Sequence, residues 1–159
     1  MMNSPADVNL GSGITYRHGK ERDMWRINEL IAAGDLDAQN VIPENVLLAE
    51  DGGTIIGINR IKYHADGAAE IASAYVIPQY RGRGINEKLT RILMEQTGKT
   101  LYIITNPRNT DYVAKMGFFP VPAGYPVPVS IREKVEWCRV HYNVPDSGPG
   151  VFYYDPAGE

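Results

Sequence analysis

The stretch QYRGRG, residues 79–84, places two glycines and two arginines between an apolar run and a helical pattern. The first turn of a helix carries backbone N–H groups without intrahelical acceptors and a partial positive charge. Glycines ahead of it let an anion approach those N–H groups, and Arg81 and Arg83 add charge and hydrogen-bond donors. This combination predicts a phosphate site. The alternative is a glycine turn that only joins a strand to a helix, with both arginines in solvent.

The loop differs from two other glycine-rich phosphate loops. No Gly-Lys-Ser or Gly-Lys-Thr follows it, which excludes a P-loop. Glu87 stands where the dinucleotide fingerprint would have its third glycine. The ligand must therefore be argued from a wider pattern.

Two motifs together supply that pattern. QYRGRG fits Gln/Arg-x-x-Gly-x-Gly/Ala, and a Val-Ile-Pro string precedes it at the usual offset. Asn106 and the string KMGF at 115–118 fall where a second motif belongs. The chain resembles the acetyl-coenzyme-A-dependent N-acetyltransferases of the GNAT superfamily in element order over 14–119. The resemblance is sharp over 75–93 and 106–118.

The resemblance implies a fold, a ligand and its contacts. The fold is α/β, a GNAT-like three-layer α/β/α sandwich whose central mixed, mostly antiparallel sheet is splayed between the fourth and fifth strands. Acetyl-coenzyme A would lie in that wedge, with its pyrophosphate on the amides around 81–86 and its pantetheine along 75–77 and Asn106. The residues assigned to its binding are Tyr75, Val76, Ile77, Gln79, Arg81, Gly82, Arg83, Gly84, Ile85, Asn86, Asn106, Arg108 and Tyr112.

Acetyl transfer to an amine makes three chemical demands. The amine must lose a proton, the oxyanion must be stabilised as it forms, and the leaving thiolate benefits from a proton donor. The resemblance assigns the oxyanion to the backbone N–H of Val76. The family's usual donor is a tyrosine at the position that Val113 occupies here. Tyr112 is the alternative acid, although neighbouring helical positions point about 100° apart.

The general base has three candidates. Glu70 lies on the strand that leads to Val76, an even number of residues away and therefore on the same face, but about 20 Å along the strand. Tyr75 is nearer to the thioester and could orient the acceptor. In the third case no side chain acts, water removes the proton, and positioning supports turnover.

The hydrophobic pattern predicts the elements that position these residues. A strand at 14–19 and a helix at 21–34 come first, and the DGG and HADG turns predict three antiparallel strands over about 46–77. A helix follows QYRGRG, and a short apolar strand lies at 100–105. The strands on either side of this helix should be parallel neighbours through a right-handed crossover. A short helix at 108–116 carries the second motif.

The last quarter of the chain has a different character. Prolines within 120–128 exclude a central strand or a helix interior. Ser130 and Glu133 form a capping-box pattern ahead of a helix. The string VPDSGPG at 144–150 predicts a loop, and VFYYD at 151–155 predicts a closing strand.

We expect one acyltransferase domain over 1–159, with a flexible tail at 1–13. The segment 120–150, a proline-rich loop plus an extra helix, is longer than a plain hairpin connection. We expect it to wall the acceptor pocket or to make a homodimer contact.

Composition limits the classes of protein that the chain can be. A formal net charge of -3 argues against nucleic-acid binding, which would show a basic excess. No apolar run approaches the roughly 18 residues of a membrane-spanning helix, and the N-terminus lacks a signal-peptide pattern. The three histidines lack ligand spacing and Cys138 is the single cysteine, so we predict no metal. We expect a cytoplasmic protein without nucleic-acid or membrane partners.

Two functions remain open at this point. The first is an N-acetyltransferase that moves an acetyl group from acetyl-coenzyme A to a primary amine of a small molecule or peptide, by direct attack in a ternary complex. The second, which Val113 motivates, is an acyl-coenzyme A sensor without efficient catalysis.

Overall fold

A computed structural model describes residues 13–142 and 150–157 of the chain. The strands are β1 (Ile14–His18), β2 (Val46–Asp51), β3 (Thr54–Tyr63), β4 (Ala69–Val76), β5 (Leu101–Thr105), β6 (Phe119–Pro120) and β7 (Gly150–Tyr154). The helices are α1 (Met24–Ala33), α2 (Ile85–Gln96), α3 (Thr110–Lys115) and α4 (Val129–His141). This order of elements confirms the predicted α/β fold. No helix within the described ranges is long and apolar enough to cross a membrane.

The strands of the described ranges form one seven-stranded sheet in the order β1-β2-β3-β4-β5-β7-β6. The pairs β1–β2, β2–β3, β5–β7 and β6–β7 are antiparallel. Strands β4 and β5 are parallel, with Ala69 to Ile71 aligned on Leu101 to Ile103, while β4 itself continues to Val76. Helix α2 supplies the crossover that a parallel pair requires. The predicted parallel neighbours are confirmed.

The chain divides into two compact units, each assembled from two segments. The first unit comprises Met1–Arg60 and Ser73–Thr90, and the second comprises Ile61–Ala72 and Arg91–Glu159. The predicted tail lies outside the described residues except for Gly13. The expectation of one functional domain over the whole chain stays a prediction.

The core of the first unit is formed by α1 packing on β2 and β3. Ile27, Leu30 and Ile31 repeat at helical spacing, so one face of α1 carries all three. They pack with buried aliphatic residues of the two strands, and Tyr75 and Ile77 pack against the same cluster. The end of β4 is therefore fixed to a rigid core.

The core of the second unit contains the proline-rich segment. Tyr102 of β5 and Ile131 of α4 are buried, and Val121, Tyr125 and Val127 pack around them. The hydroxyls of Tyr102 and Tyr125 lie 3.1 Å apart. Strand β6, which contains a proline, lies at the sheet edge, where a missing N–H is tolerated. The prediction that prolines exclude a central strand is confirmed.

The predicted capping box at the start of α4 is wrong. Pro128 is the N-cap and Ser130 lies inside the first turn. The N–H and hydroxyl of Ser130 donate to the Asp66 carboxylate at 3.0 and 2.8 Å. A carboxylate from the distant HADG turn thus caps the helix, and no local pattern predicts it. The loop predicted at 144–150 lies outside the described residues, apart from Gly150.

Candidate active site

The end of β4 presents backbone groups on the side opposite to β3. The N–H of Ile77 donates to the carbonyl of Ile56 on β3 at 3.0 Å. Successive N–H groups of an extended chain point to opposite sides of the strand, so the N–H of Val76 points away from β3. This is the N–H that the resemblance assigns to the oxyanion.

Ser73 interrupts the regular geometry of β4. Its φ of 60° is in the left-handed region, which is rare for a residue other than glycine. One residue of this kind breaks the alternation of faces along a strand, as in a β-bulge. The sequence argument that an even separation puts Glu70 and Val76 on one face therefore fails.

The loop after β4 requires glycine for its backbone conformation. Gly82 and Gly84 both have a φ of 79°, and a Cβ on either would meet no heavy atom within 4 Å. The space beside the loop is open on the glycine side. The first helical hydrogen bond of α2 runs from the Lys88 N–H to the Gly84 carbonyl at 3.0 Å, so the N–H of Ile85 lies ahead of the intrahelical ladder. These are the features that an anion-binding loop needs.

Arg81 packs back on the end of β4. Its Nε donates to the carbonyl of Val76 at 2.7 Å, and its guanidinium lies 5.2 Å from the ring centroid of Tyr75. The Tyr75 ring also lies against Gly34 at the end of α1, where an added Cβ would be 2.7 Å from its Cδ1, and it packs on the core cluster that α1 helps to form. Tyr75 is thereby held between helix α1 and a cation.

Arg83 is held by the loop itself and not simply immersed in solvent. Its guanidinium lies 4.8 Å from the ring centroid of Tyr80, and its Nη2 donates to the carbonyl of Gln79. The Tyr80 hydroxyl donates to the carboxylate of Asp51 at the β2–β3 turn, and this hydrogen bond raises the pKa of Tyr80. The turn thus anchors the glycine loop, and the loop positions a cation.

The second-motif residues lie in the second unit. The Asn106 side chain accepts the Arg108 N–H at 3.2 Å and so caps the turn at Pro107–Asn109. Tyr112 on α3 is 39% exposed, whereas Val113 is buried and its carbonyl accepts the N–H of Phe118 at 3.2 Å. The two neighbouring residues thus differ sharply in exposure, as adjacent helical positions do. The assignment of Asn106, Arg108 and Tyr112 to the cofactor stays a prediction.

Glu70 is the centre of a buried ionic cluster. His64 Nε2 lies 2.9 Å from one carboxylate oxygen and Lys134 Nζ lies 2.7 Å from the other. Burial raises the pKa of Glu70, but the His64 hydrogen bond and the Lys134 charge outweigh it, and the pKa lies below its usual value. A carboxylate with a lowered pKa and two occupied oxygens is a poor general base.

This cluster was missed by reasoning from sequence. His64 lies at the HADG turn, and its side chain is only 12% exposed. The sequence feature that could have indicated the His64–Glu70 contact is the position of the two residues at the start of the HADG turn and just after it. Lys134 lies far along the chain on α4, and nothing local indicates it. Among the described residues, no group of three or more His, Cys, Asp or Glu side chains is placed to hold a metal ion.

Comparison with known proteins identifies the family. Residues 16–118 match the acetyltransferase (GNAT) family. The chain belongs to the GNAT family. Both of its motifs, at 79–84 and 115–118, lie inside the matched region, and the second motif ends where that region ends. The comparison with curated proteins found no match.

Solved structures of several other proteins share the fold of this GNAT chain. N-acetylglutamate synthase from Neisseria gonorrhoeae, complexed with coenzyme A and L-arginine, is 17% identical with a TM-score of 0.70 over 93% of this chain and 34% of that one. Rv2747 from Mycobacterium tuberculosis, in complex with coenzyme A and NLQ, is 16% identical with a TM-score of 0.66, and the match covers 89% of this chain and 98% of that one. Diaminobutyrate acetyltransferase EctA from Paenibacillus lautus, in complex with L-2,4-diaminobutyric acid and coenzyme A, is 18% identical with a TM-score of 0.60. This match covers 94% of this chain and 98% of that one.

These similarities confirm the predicted fold class. The GNAT chain spans about a third of the N-acetylglutamate synthase that it matches, 34%, and nearly the full length of the other two proteins. All three were crystallised with coenzyme A. At this level of identity the acceptor of this chain must be argued separately.

Proposed function

We propose that this GNAT chain is an N-acetyltransferase that moves an acetyl group from acetyl-coenzyme A to a primary amine of a small molecule or peptide. The amine attacks directly in a ternary complex. A C–N bond forms, the thioester C–S bond breaks, one proton leaves the amine, and the thiolate leaves as coenzyme A. The observation that carries the proposal is the glycine loop at the start of α2, within a chain of this family.

The loop fits the diphosphate of acetyl-coenzyme A. Gly82 and Gly84 leave open space beside the main chain, and the start of α2 supplies N–H donors and a partial positive charge. Arg83 contributes a cation held over Tyr80. Bound there, acetyl-coenzyme A supplies the activated acyl group.

Val76 supports the proposal at the reacting end. Its N–H points away from β3, which leaves it directed toward a ligand that lies along that side of β4. A preorganised N–H donor at the developing oxyanion is worth roughly 100- to 1000-fold in rate. Tyr75, held between Gly34 and Arg81, would orient the acceptor.

Water is favoured over Glu70 as the proton acceptor, because both carboxylate oxygens of Glu70 are occupied, by His64 and Lys134. At the position of the usual acid, Val113 is aliphatic and buried, so it donates no proton to the leaving thiolate. An alkyl amine has a pKa near ~10, so its neutral fraction rises about tenfold for each pH unit up to that value. We expect kcat/KM to rise with the same slope from pH 7 to pH 9, and a plateau in that range would indicate a dedicated base.

Calorimetry with acetyl-coenzyme A, followed by thiol release, tests the proposal. The amine panel should include glutamate, arginine and L-2,4-diaminobutyric acid, because these or their acetyl products appear in the names of similar structures. We expect saturable binding and thiol release above the acceptor-free rate. Binding without turnover on a broad amine panel would favour the acyl-coenzyme A sensor instead. Absence of binding at millimolar acetyl-coenzyme A would rule out both the transferase and the sensor.

Three expectations stay as predictions beside this proposal. They are the cytoplasmic location, the homodimer, and the role of 120–150 in walling the acceptor pocket or joining two copies. Deletion of 124–146 would remove Ile131 from the core of the second unit, so an exposed residue of α4 gives the better test. Val140→Ser should change acceptor affinity or association while leaving coenzyme A binding intact.

A further inference from the structure

Three residues other than glycine have left-handed backbone in the described part of the chain. They are Asp35, with a φ of 51°, Asn40, with a φ of 53°, and Ser73, with a φ of 60°. Two of them delimit the loop that follows α1, and the third lies within β4. Each such residue carries a conformational cost that the surrounding structure must offset.

One buried arginine contacts both segments. Arg60 on β3 is only 1% exposed, and its Nε donates to the hydroxyl of Ser73 at 2.9 Å. Its two terminal nitrogens donate to the carbonyls of Asp37, Gln39 and Asn40 at 3.0, 3.1 and 3.2 Å. The Ser73 hydroxyl in turn donates to the carbonyl of Asp37 at 2.8 Å. Hydrogen bonds from one guanidinium thus tie the loop to the strand.

Burying this guanidinium is costly, since a charge loses its hydration on entering the core, and the buried Asp37 carboxylate, whose Oδ1 lies 3.7 Å from Nη2, offsets only part of that cost. An apolar side chain would fill the same space without that cost. Only a planar fork with five donors can bond a hydroxyl and several carbonyls of two segments together. The hydrogen bonds of Arg60 therefore fix the positions of the loop after α1 and of Ser73 in a way that apolar packing alone would not.

We infer that Arg60 is a positioning residue that holds Ser73 in its left-handed conformation and so sets the direction of Tyr75 and Val76. A bulge re-aims the residues that follow it in the strand. Val76 carries the N–H assigned to the oxyanion, and Tyr75 precedes it. The inference rests on the proposed function and adds a residue that does not touch the ligand.

The first test compares two arginine-to-lysine variants. Arg60→Lys keeps the charge but loses the fork. Arg26→Lys is the matched control, because Arg26 is part-buried and also donates to a backbone carbonyl, that of Ile55, at 3.1 and 2.8 Å. Binding of coenzyme A is measured by calorimetry, and kcat by thiol release with the best amine of the panel.

We expect Arg60→Lys to lower kcat by at least about tenfold, since small misplacements of catalytic groups are costly, while its Kd for coenzyme A changes less than about threefold. Arg26→Lys should retain kcat and should lose less stability, because the Arg26 side chain is 29% exposed. Both kcat values are measured at a temperature where both variants are folded, and an equal loss of kcat in the two variants would show that Arg60 is merely structural and that the inference is wrong.

A second pair of variants decides the matter if Arg60→Lys does not fold. Ser73→Gly and Ser73→Ala both lose the hydroxyl, but only glycine adopts a φ near that of Ser73 without strain. We expect kcat of Ser73→Gly to exceed that of Ser73→Ala by about fivefold to thirtyfold. Equal kcat values would overturn the inference.

Hydrogen exchange separates this inference from the proposed function. Amides at 73–77 should exchange faster in Arg60→Lys than in Arg26→Lys, and faster in Ser73→Ala than in Ser73→Gly, whether or not the protein transfers acetyl groups. If the wild type neither binds acetyl-coenzyme A nor releases thiol, the transferase proposal fails, while equal exchange at 73–77 in the two arginine variants would overturn the role of Arg60.

Discussion

Replacement of Gly84 by alanine tests the glycine loop at its most sensitive point. Gly84 has a φ of 79°, and an added Cβ would enter open space without touching the protein. The substitution therefore creates no steric clash in the free protein. Any effect must come from backbone strain, or from the intrusion of the methyl group into space that a ligand would use.

The size of the effect follows from these two contributions. A residue with a Cβ pays roughly 1–2 kcal/mol in the left-handed region. If the loop relaxes to avoid this cost, binding must restore it, which weakens the affinity for acetyl-coenzyme A by about fivefold to thirtyfold. To the extent that the free loop keeps its conformation, the same cost appears instead as lost stability, and the affinity then falls because the methyl group displaces the phosphate.

Calorimetry with acetyl-coenzyme A measures the effect, and urea unfolding measures the strain. Gly124→Ala is the matched control, because Gly124 has a φ of 84° and nothing within 4 Å of an added Cβ, but lies in the proline-rich segment. Both variants should lose a similar amount of stability. Only Gly84→Ala should lose affinity, and equal affinity in the two variants would refute the assignment of the loop to the cofactor.

Three further predictions concern the hydrogen bond that anchors the glycine loop, the position of the family's usual general acid, and the dependence of stability on pH. Tyr80→Phe removes the hydrogen bond to Asp51 and should raise the calorimetric Kd for acetyl-coenzyme A several-fold with little change in stability, whereas an unchanged Kd would mean that the loop is fixed without this anchor. Val113→Tyr should cost about 1–3 kcal/mol in urea unfolding and should not raise kcat, because the position is buried; a faster enzyme would show that an acid can be installed there. Arg17 lowers the pKa of Asp23 from 3.8 to about 2, so the pair stabilises the fold above pH 3.8, and this stability is lost as the pH falls toward 2. Unfolding at pH 7 and pH 3 should show this loss in the wild type and a smaller one in Arg17→Ala.

Local pattern was sufficient for most elements of the fold. The DGG turn between two apolar runs predicts the β2–β3 hairpin, and the structure has both glycines at positive φ. The helix after QYRGRG follows from the spacing of Ile85, Leu89 and Leu93, all buried. Each of these signals depends on residues close together in sequence, where period and turn chemistry decide the outcome.

The chemistry around β4 could not be predicted in the same way. Ser73 adopts its left-handed conformation because Arg60 and the carbonyl of Asp37 hold its hydroxyl, and a serine in a strand pattern carries no sign of this. Glu70 appeared to be a candidate base because its partner Lys134 lies on a distant helix. Ser130 was predicted to cap its own helix, but Asp66 does so. In each case, a tertiary partner overrides the local pattern.

The central claim is that the main chain of the glycine loop binds the diphosphate of an acyl carrier. Titration of the ¹⁵N-labelled protein with acetyl-coenzyme A, followed by NMR, tests it directly. We expect saturable shifts that are largest for the amides of Gly82, Gly84, Ile85 and Asn86, with a further shift at Val76. Saturable shifts that leave these amides unchanged, or no shifts at millimolar acetyl-coenzyme A, would contradict the claim.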